Sequence, residues 1–224
     1  MDIEFDMSWD STKIGPDLAF DGARKTVTHT TSSGWSCQVA DRVFAEGVHH
    51  IELWCENVDN LGLFVGVAGR SFLDAHDFED SMRESPDVCC IHGDGRVFVR
   101  KSERDWGLQR MATGRKIDLM LDIDSGILKL HLENVNSRGQ AVHSNAEITG
   151  LPAQVVLAVC FGGKDQALRI GRCLTLPKGD PEARERRLAR LQEAEESAAS
   201  QRARAEAFEA KVQSFLKTAK ETAT

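Results

Sequence analysis

The sequence predicts an all-β domain, a two-sheet antiparallel β-sandwich, followed by a long C-terminal α-helix. Three observations carry this prediction. Ile117, Leu119 and Leu121 alternate with Asp118, Met120 and Asp122, and Leu128, Leu130 and Leu132 alternate with Lys129, His131 and Glu133. Period-2 alternation makes each run a strand with one buried face, and Asp124-Ser125-Gly126 between them supplies turn chemistry. Short apolar or alternating runs separated by glycine turns recur up to residue 176, which is the pattern of an antiparallel sandwich. Beyond Leu176-Pro-Lys-Gly-Asp-Pro181 the composition shifts to Ala, Glu, Arg, Gln and Lys, with no further Pro or Gly.

The totals narrow the function classes. A chain of 224 residues can hold one sizeable domain plus an appendage, or two small domains. Net charge is −7; residues 180–224 balance nine acids with nine bases, so residues 1–179 carry all of it, with 26 acids and 19 bases. A surface that acidic argues against nucleic acid, because phosphate contacts need a basic face. No apolar run approaches the roughly 18 residues of a membrane span. The acidic start, Met-Asp-Ile-Glu-Phe-Asp, lacks the basic and apolar regions of a secretory leader. The expectation is therefore a cytoplasmic protein, with cytoskeletal or flagellar association open. Its six cysteines (Cys37, Cys55, Cys89, Cys90, Cys160 and Cys173) are then expected as free thiols.

In chain order, residues 1–14 read as a packed arm with Phe5 and Trp9 among acids, and Gly15-Pro16 turns the chain. Residues 17–21 and 25–30 read as short strands, followed by a Ser32-Ser33-Gly34 loop and a strand at Trp35–Val39. In the run from Phe44 to Asn57, His49, Ile51, Leu53 and Cys55 face one way, and Val48, His50, Glu52, Trp54 and Glu56 the other. Leu61–Ala68 is almost wholly apolar, as suits the centre of a sandwich. Residues 71–84 read as a long acidic loop. Cys89–Arg100 reads as strand, Gly-Asp-Gly turn and strand. Residues 134–145 are polar, and Val155–Phe161 with Ala167–Ile170 close the sheets. Asp180 can cap a helix with Pro181 at its first position. In the extension, 177–224, Ala205, Phe208, Val212, Phe215 and Ala219 form a stripe at spacings of 3 and 4, as in a coiled coil.

Five of these stretches, in order, resemble the SPRY (B30.2-like) family. Phe44-x-x-Gly47-x-His49-His50-Ile51-Glu52-Leu53 is similar to the family strand F-x-x-G-x-H-Y-W-E-V, and Phe64-Val-Gly-Val-Ala68 to W-x-V-G-V-A. Asp105-Trp-Gly-Leu108, the hairpin with Leu-Asp-x-Asp-x-Gly-x-Leu, and Leu151-Pro-x-x-Val-Val-Leu-Ala-Val-Cys-Phe-Gly162 follow. Asp17-Leu-Ala-Phe-Asp21 sits where the family has L-x-L-D-P, without the proline. The resemblance covers residues 15–176 and implies two antiparallel sheets whose edge loops bind protein or peptide. By position it points to Gly69 and Arg70, Phe98 and Arg100, Trp106, and Phe161 and Gly162. Aromatic and Arg anchors are also what interface energetics favours.

No catalytic or metal signal competes. Asp124-Ser125-Gly126 matches the aspartic-protease triplet, but that chemistry needs two such aspartates sharing a proton. The 12 residues from Asp122 to Glu133 have the acids of a calcium loop at their ends, yet Ile127 occupies the position that requires Gly. Vicinal Cys89 and Cys90 with His92 lack a second pair at zinc spacing. His49 and His50 alternate faces, and neither a phosphate loop nor a G-x-S-x-G elbow occurs. No catalytic residue, metal or cofactor is expected. Nor is a RING, a B-box or a ubiquitin-ligase box seen, so ligase activity is not expected. The sequence thus predicts a non-enzymatic interaction module, monomeric in isolation, that binds a partner through its SPRY loops and is tethered by its helix. The alternative is a structural subunit of a large cytoskeletal, axonemal or ribonucleoprotein complex, held mainly by that helix.

Overall fold

A computed structural model of the chain describes residues 2–31, 34–58, 62–74, 82–135 and 141–176, with Glu182, Glu185, Arg186 and Ala189 beyond them. The side chains of Arg70, Ser71, Glu84, Asn134 and Val135 are excepted. The chain divides into two compact units, Met1–Ala183 and Arg184–Thr224, and the strands all lie in the first. The helix expected over 177–224, with its stripe at Ala205, Phe208, Val212, Phe215 and Ala219, falls outside the described residues apart from those four.

Two antiparallel sheets form the first unit. The first orders β13 (Ala141–Thr149), β12 (Ile127–Val135), β11 (Lys116–Asp122), β6 (Val48–Asn57), β15 (Ala167–Leu176), β4 (Thr26–His29) and β3 (Leu18–Phe20), and β1 (Ile3–Glu4) also pairs with β15. The second orders β10 (Ser102–Arg104), β9 (Val97–Val99), β8 (Val88–His92), β7 (Leu63–Ala68), β14 (Val155–Phe161), β5 (Ser36–Phe44) and β2 (Trp9–Ile14).

The first sheet keeps the alternation read from the sequence. Ile51, Leu53, Ile117, Leu119, Leu121, Leu128, Leu130 and Leu132 are buried, while His50, Glu52, Asp118, Lys129 and His131 point outward. The hairpin turn explains the Asp-Ser-Gly triplet. Asp122 Oδ1 accepts the Ser125 N–H at 2.9 Å, and buried Asp124 accepts the Gly47 N–H at 2.9 Å across the chain. Gly126 takes a φ of 72°, open to glycine at no steric cost. Asp124 is thus a structural acceptor joining the turn to the start of β6.

The second sheet differs. In β7, β8 and β14 every residue is buried, so both faces are covered. Part of the cover is fully buried Met82, on a 3-10 turn (Met82–Glu84) against β8. The stretch expected as one long loop therefore opens with a short helix α1 (Arg70–Asp74), closes with this turn, and buries Phe72 and Met82. The N-terminal arm contributes a strand to each sheet, and Trp9 is fully buried with its indole N–H donated to Lys25 O at 2.9 Å. Strand β13 carries no legible alternation, because only Ala146 and Ile148 of its nine residues are buried.

All six cysteines are buried thiols outside any disulfide. Burial pushes the Cys55 thiol up to about 12 and those of Cys89 and Cys173 up to about 11. Since the thiolate is the reactive species, a thiol reagent at neutral pH should modify essentially none of them in the native chain. All six should react in denaturant. Rapid native labelling at any of them would contradict this packing.

Candidate interaction surface

The residues singled out from the sequence separate into two groups at opposite ends of the second sheet. At one end, Gly69 follows β7 and is buried, with its N–H donated to Asp87 O at 2.9 Å. A Cβ there would meet Pro152 Cγ at 2.9 Å, so glycine is required by close approach. Arg70 opens α1 beside it. Arg100 lies at the same end, its guanidinium donating to Gly150 O at 2.7 Å and its N–H to Val88 O at 3.0 Å. At the other end Gly162 donates to Gly62 O at 2.5 Å, and a Cβ on it would meet the Trp35 ring at 2.9 Å.

The aromatic members are largely core. Phe161 is completely buried and stacks on His29 at 6.4 Å between ring centroids. Phe98 is 5% exposed, set edge-on to Phe64 at 5.5 Å. Neither offers a partner a side-chain face in this fold, because the outer face of the second sheet is covered as well as its inner one. Trp106 is half-buried, packed on the core from a turn in which Asp105 Oδ1 accepts the Gly107 N–H at 2.9 Å. The seven residues expected as one surface thus do not converge: Gly69, Arg70 and Arg100 share one end, Gly162 lies at the other, Phe98 and Phe161 are core, and Trp106 is half-buried.

The accessible end has a feature the sequence did not signal. Strands β9 and β10 are joined by Arg100 and Lys101, with Val99 opposite Ser102. Both connecting residues have positive φ, 51° and 70°. Two-residue hairpin loops of this kind favour Asn-Gly, because a Cβ in the left-handed region costs roughly 1–2 kcal/mol per residue. Here two long basic side chains occupy those positions, and both are exposed. Arg104 is exposed on β10, and Arg96 is tied to Asp94 at 2.8 Å and to Glu103 at 3.2 Å. A basic hairpin therefore projects from an acidic domain. Lys101→Gly should stabilise the domain by up to about 1 kcal/mol, the strain relieved less the added chain entropy. Chemical denaturation measures it, and a loss of stability would mean that Lys101 makes a contact outweighing its strain.

The outer face of the first sheet gathers His50, Glu52 and Asp118, the one group of three metal-ligating side chains found close together among the described residues. Lys116 Nζ already lies 3.5 Å from Glu52 and 3.2 Å from Asp118, so the negative charge is matched by an ammonium rather than left for an ion. His50 Nε2 is 3.0 Å from Asp118 Oδ1. Burial pushes the Asp118 carboxyl up, but hydrogen bonds from His50 and Lys116 outweigh it and hold the group below the usual carboxylate range. A carboxylate held low contributes stability that is present above its unfolded value, about 3.9, and lost as pH falls through the folded value. Asp118→Asn should therefore be less stable than the parent at pH 7, with the difference shrinking below about pH 4. A pH-independent difference would place its cause in packing instead.

Two seven- or eight-stranded antiparallel sheets in this order make a SPRY-like sandwich, the class of domain that the fold defines. The chain is similar to the SPRY domain of human HERC1 at 18% identity and a TM-score of 0.58, over 73% of this chain and 96% of that one. It is similar to the TRIM65 PSpry domain at 14% identity and a TM-score of 0.56, over 74% and 91% of the two chains. Stonustoxin matches at 14% and 0.54, over 74% of this chain and 27% of the toxin. At these identities the likeness is one of fold. Neither a family model nor a curated protein matches the sequence.

Proposed function

We propose that this chain is a non-enzymatic protein-interaction module of the cytoplasm, which binds an acidic segment of a partner through the end of the sandwich around Arg100, Lys101, Gly69 and Arg70. The observation that carries the reading is the β9–β10 turn. Strain retained at two consecutive exposed positions, where Asn-Gly would remove it, is of the kind found at functional sites. Arginine is a favoured anchor, and the exposed Arg100 and Arg104 of this hairpin suit bidentate pairing with carboxylates. The extension at 177–224 then acts as a tether, using the stripe Ala205, Phe208, Val212, Phe215 and Ala219 on a partner helix, and the isolated chain is monomeric.

The test compares full-length chain with Arg100→Glu/Lys101→Glu in affinity capture from cytoplasmic extract, scored by quantitative mass spectrometry. Loss of a true hot spot costs about 2 kcal/mol, roughly thirtyfold in affinity, with the melting temperature nearly unchanged. If the captured set is the same for both chains but vanishes for 1–176, the tether is the binding surface and the hairpin reading fails.

A further inference from the structure

We propose that His131 and His143, on the outer face of the first sheet, form a binding site for a divalent ion of the imidazole-preferring kind, zinc or copper. The two residues are twelve positions apart and belong to neighbouring strands, β12 and β13. Their rings stack at 5.0 Å between centroids and 19° between planes, which brings His143 Nδ1 to 3.2 Å from His131 Nε2. Two ligands at the usual zinc–nitrogen distance of about 2.0–2.1 Å and that separation subtend roughly 100° at the metal, close to tetrahedral. The strand register thus sets the separation of the two nitrogens, and turning the side chains brings both lone pairs onto one ion without backbone movement.

A second, independent feature presents one of the lone pairs. His131 Nδ1 lies 2.6 Å from Asn145 Oδ1, the residue directly opposite on β13. An amide oxygen only accepts, so Nδ1 of His131 carries the hydrogen, and its Nε2 lone pair faces His143. Metal-bound histidines are oriented in this way, the remote ring N–H donated to an oxygen acceptor. Without an ion the His143 Nδ1–H donates to that lone pair. On binding, this hydrogen moves through solvent to Nε2 of His143, and both facing nitrogens donate their lone pairs to the ion.

Glu133 is directly opposite His143 in register, but it does not join the two histidines as a preformed third ligand, so water would supply the remaining positions. His131 and Asn145 line an open groove of about 340 Å³ between Asp118 and Glu147, with room for the waters that complete coordination. The contrast with His50, Glu52 and Asp118 is chemical: there Lys116 bridges the two carboxylates, whereas here Lys129, which lines the groove, is held by Glu147 at 3.3 Å. An ion at this place would clasp β13, the outermost strand, to β12, and leave an open position for a donor from outside.

The experiment uses tag-free full-length chain, stripped with chelator and titrated with zinc chloride by calorimetry at pH 7.5. The expected result is one saturable equivalent, weakened at least tenfold by His131→Ala or His143→Ala, and about tenfold by Asn145→Ala. His50→Ala should bind as the parent does. Zinc should raise the melting temperature of the parent and leave His131→Ala/His143→Ala unmoved. All variants replace outward-facing side chains, and equal metal-free melting temperatures confirm folding, with His→Gln forms as substitutes for any that fail. Absence of a saturable equivalent, or one indifferent to both histidines, overturns the proposal.

Discussion

Gly66→Ala is expected to destabilise the domain by more than about 3 kcal/mol, at the upper end for overpacking a well-filled interior. Gly66 sits in the middle of β7, paired with Cys90 on β8 and with Ala158 on β14. A Cβ added there would lie 2.1 Å from Cys89 O and 2.5 Å from Cys90 Cα. Those are backbone atoms of the adjacent strand, so no side-chain rotation relieves the clash. The β7–β8 pairing, from Phe64–His92 to Ala68–Val88, would have to open. For a domain of this size the expected fall in melting temperature is about 10 °C, taking 2–4 °C per kcal/mol. Thermal and urea denaturation both measure it. A shift within about 2 °C would show that β7 and β8 do not approach as closely as described.

Phe161→Ala is the second large effect, with an expected cost of about 3–5 kcal/mol for emptying a fully buried aromatic site. Phe161 has no exposed surface and stacks on His29, which is itself fully buried. His29 Nδ1 meets Gly163 O at 2.9 Å, while its Nε2 has no hydrogen-bond partner among the described residues. Removing the phenyl ring would let water reach that nitrogen, which offsets part of the loss and favours the lower end of the range. The contrast with Arg100→Ala is the discriminating measurement. Arg100 is exposed, and its replacement should change stability by less than about 1 kcal/mol. Equal stability losses for the two would mean that Phe161 is not the core residue its burial indicates.

The strands of the first sheet were legible because their signal is local. Ile51, Leu53 and Cys55, or Leu128, Leu130 and Leu132, state by their own spacing which face is buried. Strand β13 was not legible, since an edge strand with one wet face needs few apolar residues, and Ala146 with Ile148 are too few to establish a period. The short helix at Arg70–Asp74 and the turn at Met82–Glu84 were hidden for another reason. Their sequences, Arg-Ser-Phe-Leu-Asp and Met-Arg-Glu, are too short to show a period, and they cover a sheet that is buried on both sides.

The site was legible by residue type but not by arrangement. Arg100 and Gly69 were found, yet Phe161 and Phe98 belong to the core, because position along a strand says nothing of what lies over its outer face. Positive φ at Arg100 and Lys101 has no compositional marker, as the residues that favour it are absent. By itself the sequence determined most of the strands, the buried faces of those that alternate and the antiparallel sandwich they imply, because alternation acts over a few residues. Only the tertiary structure decided which strands are neighbours and in what register. The approach of His131 to His143, the separation of Gly69 from Gly162 and the burial of Phe161 all follow from pairings between distant segments, which no local pattern encodes.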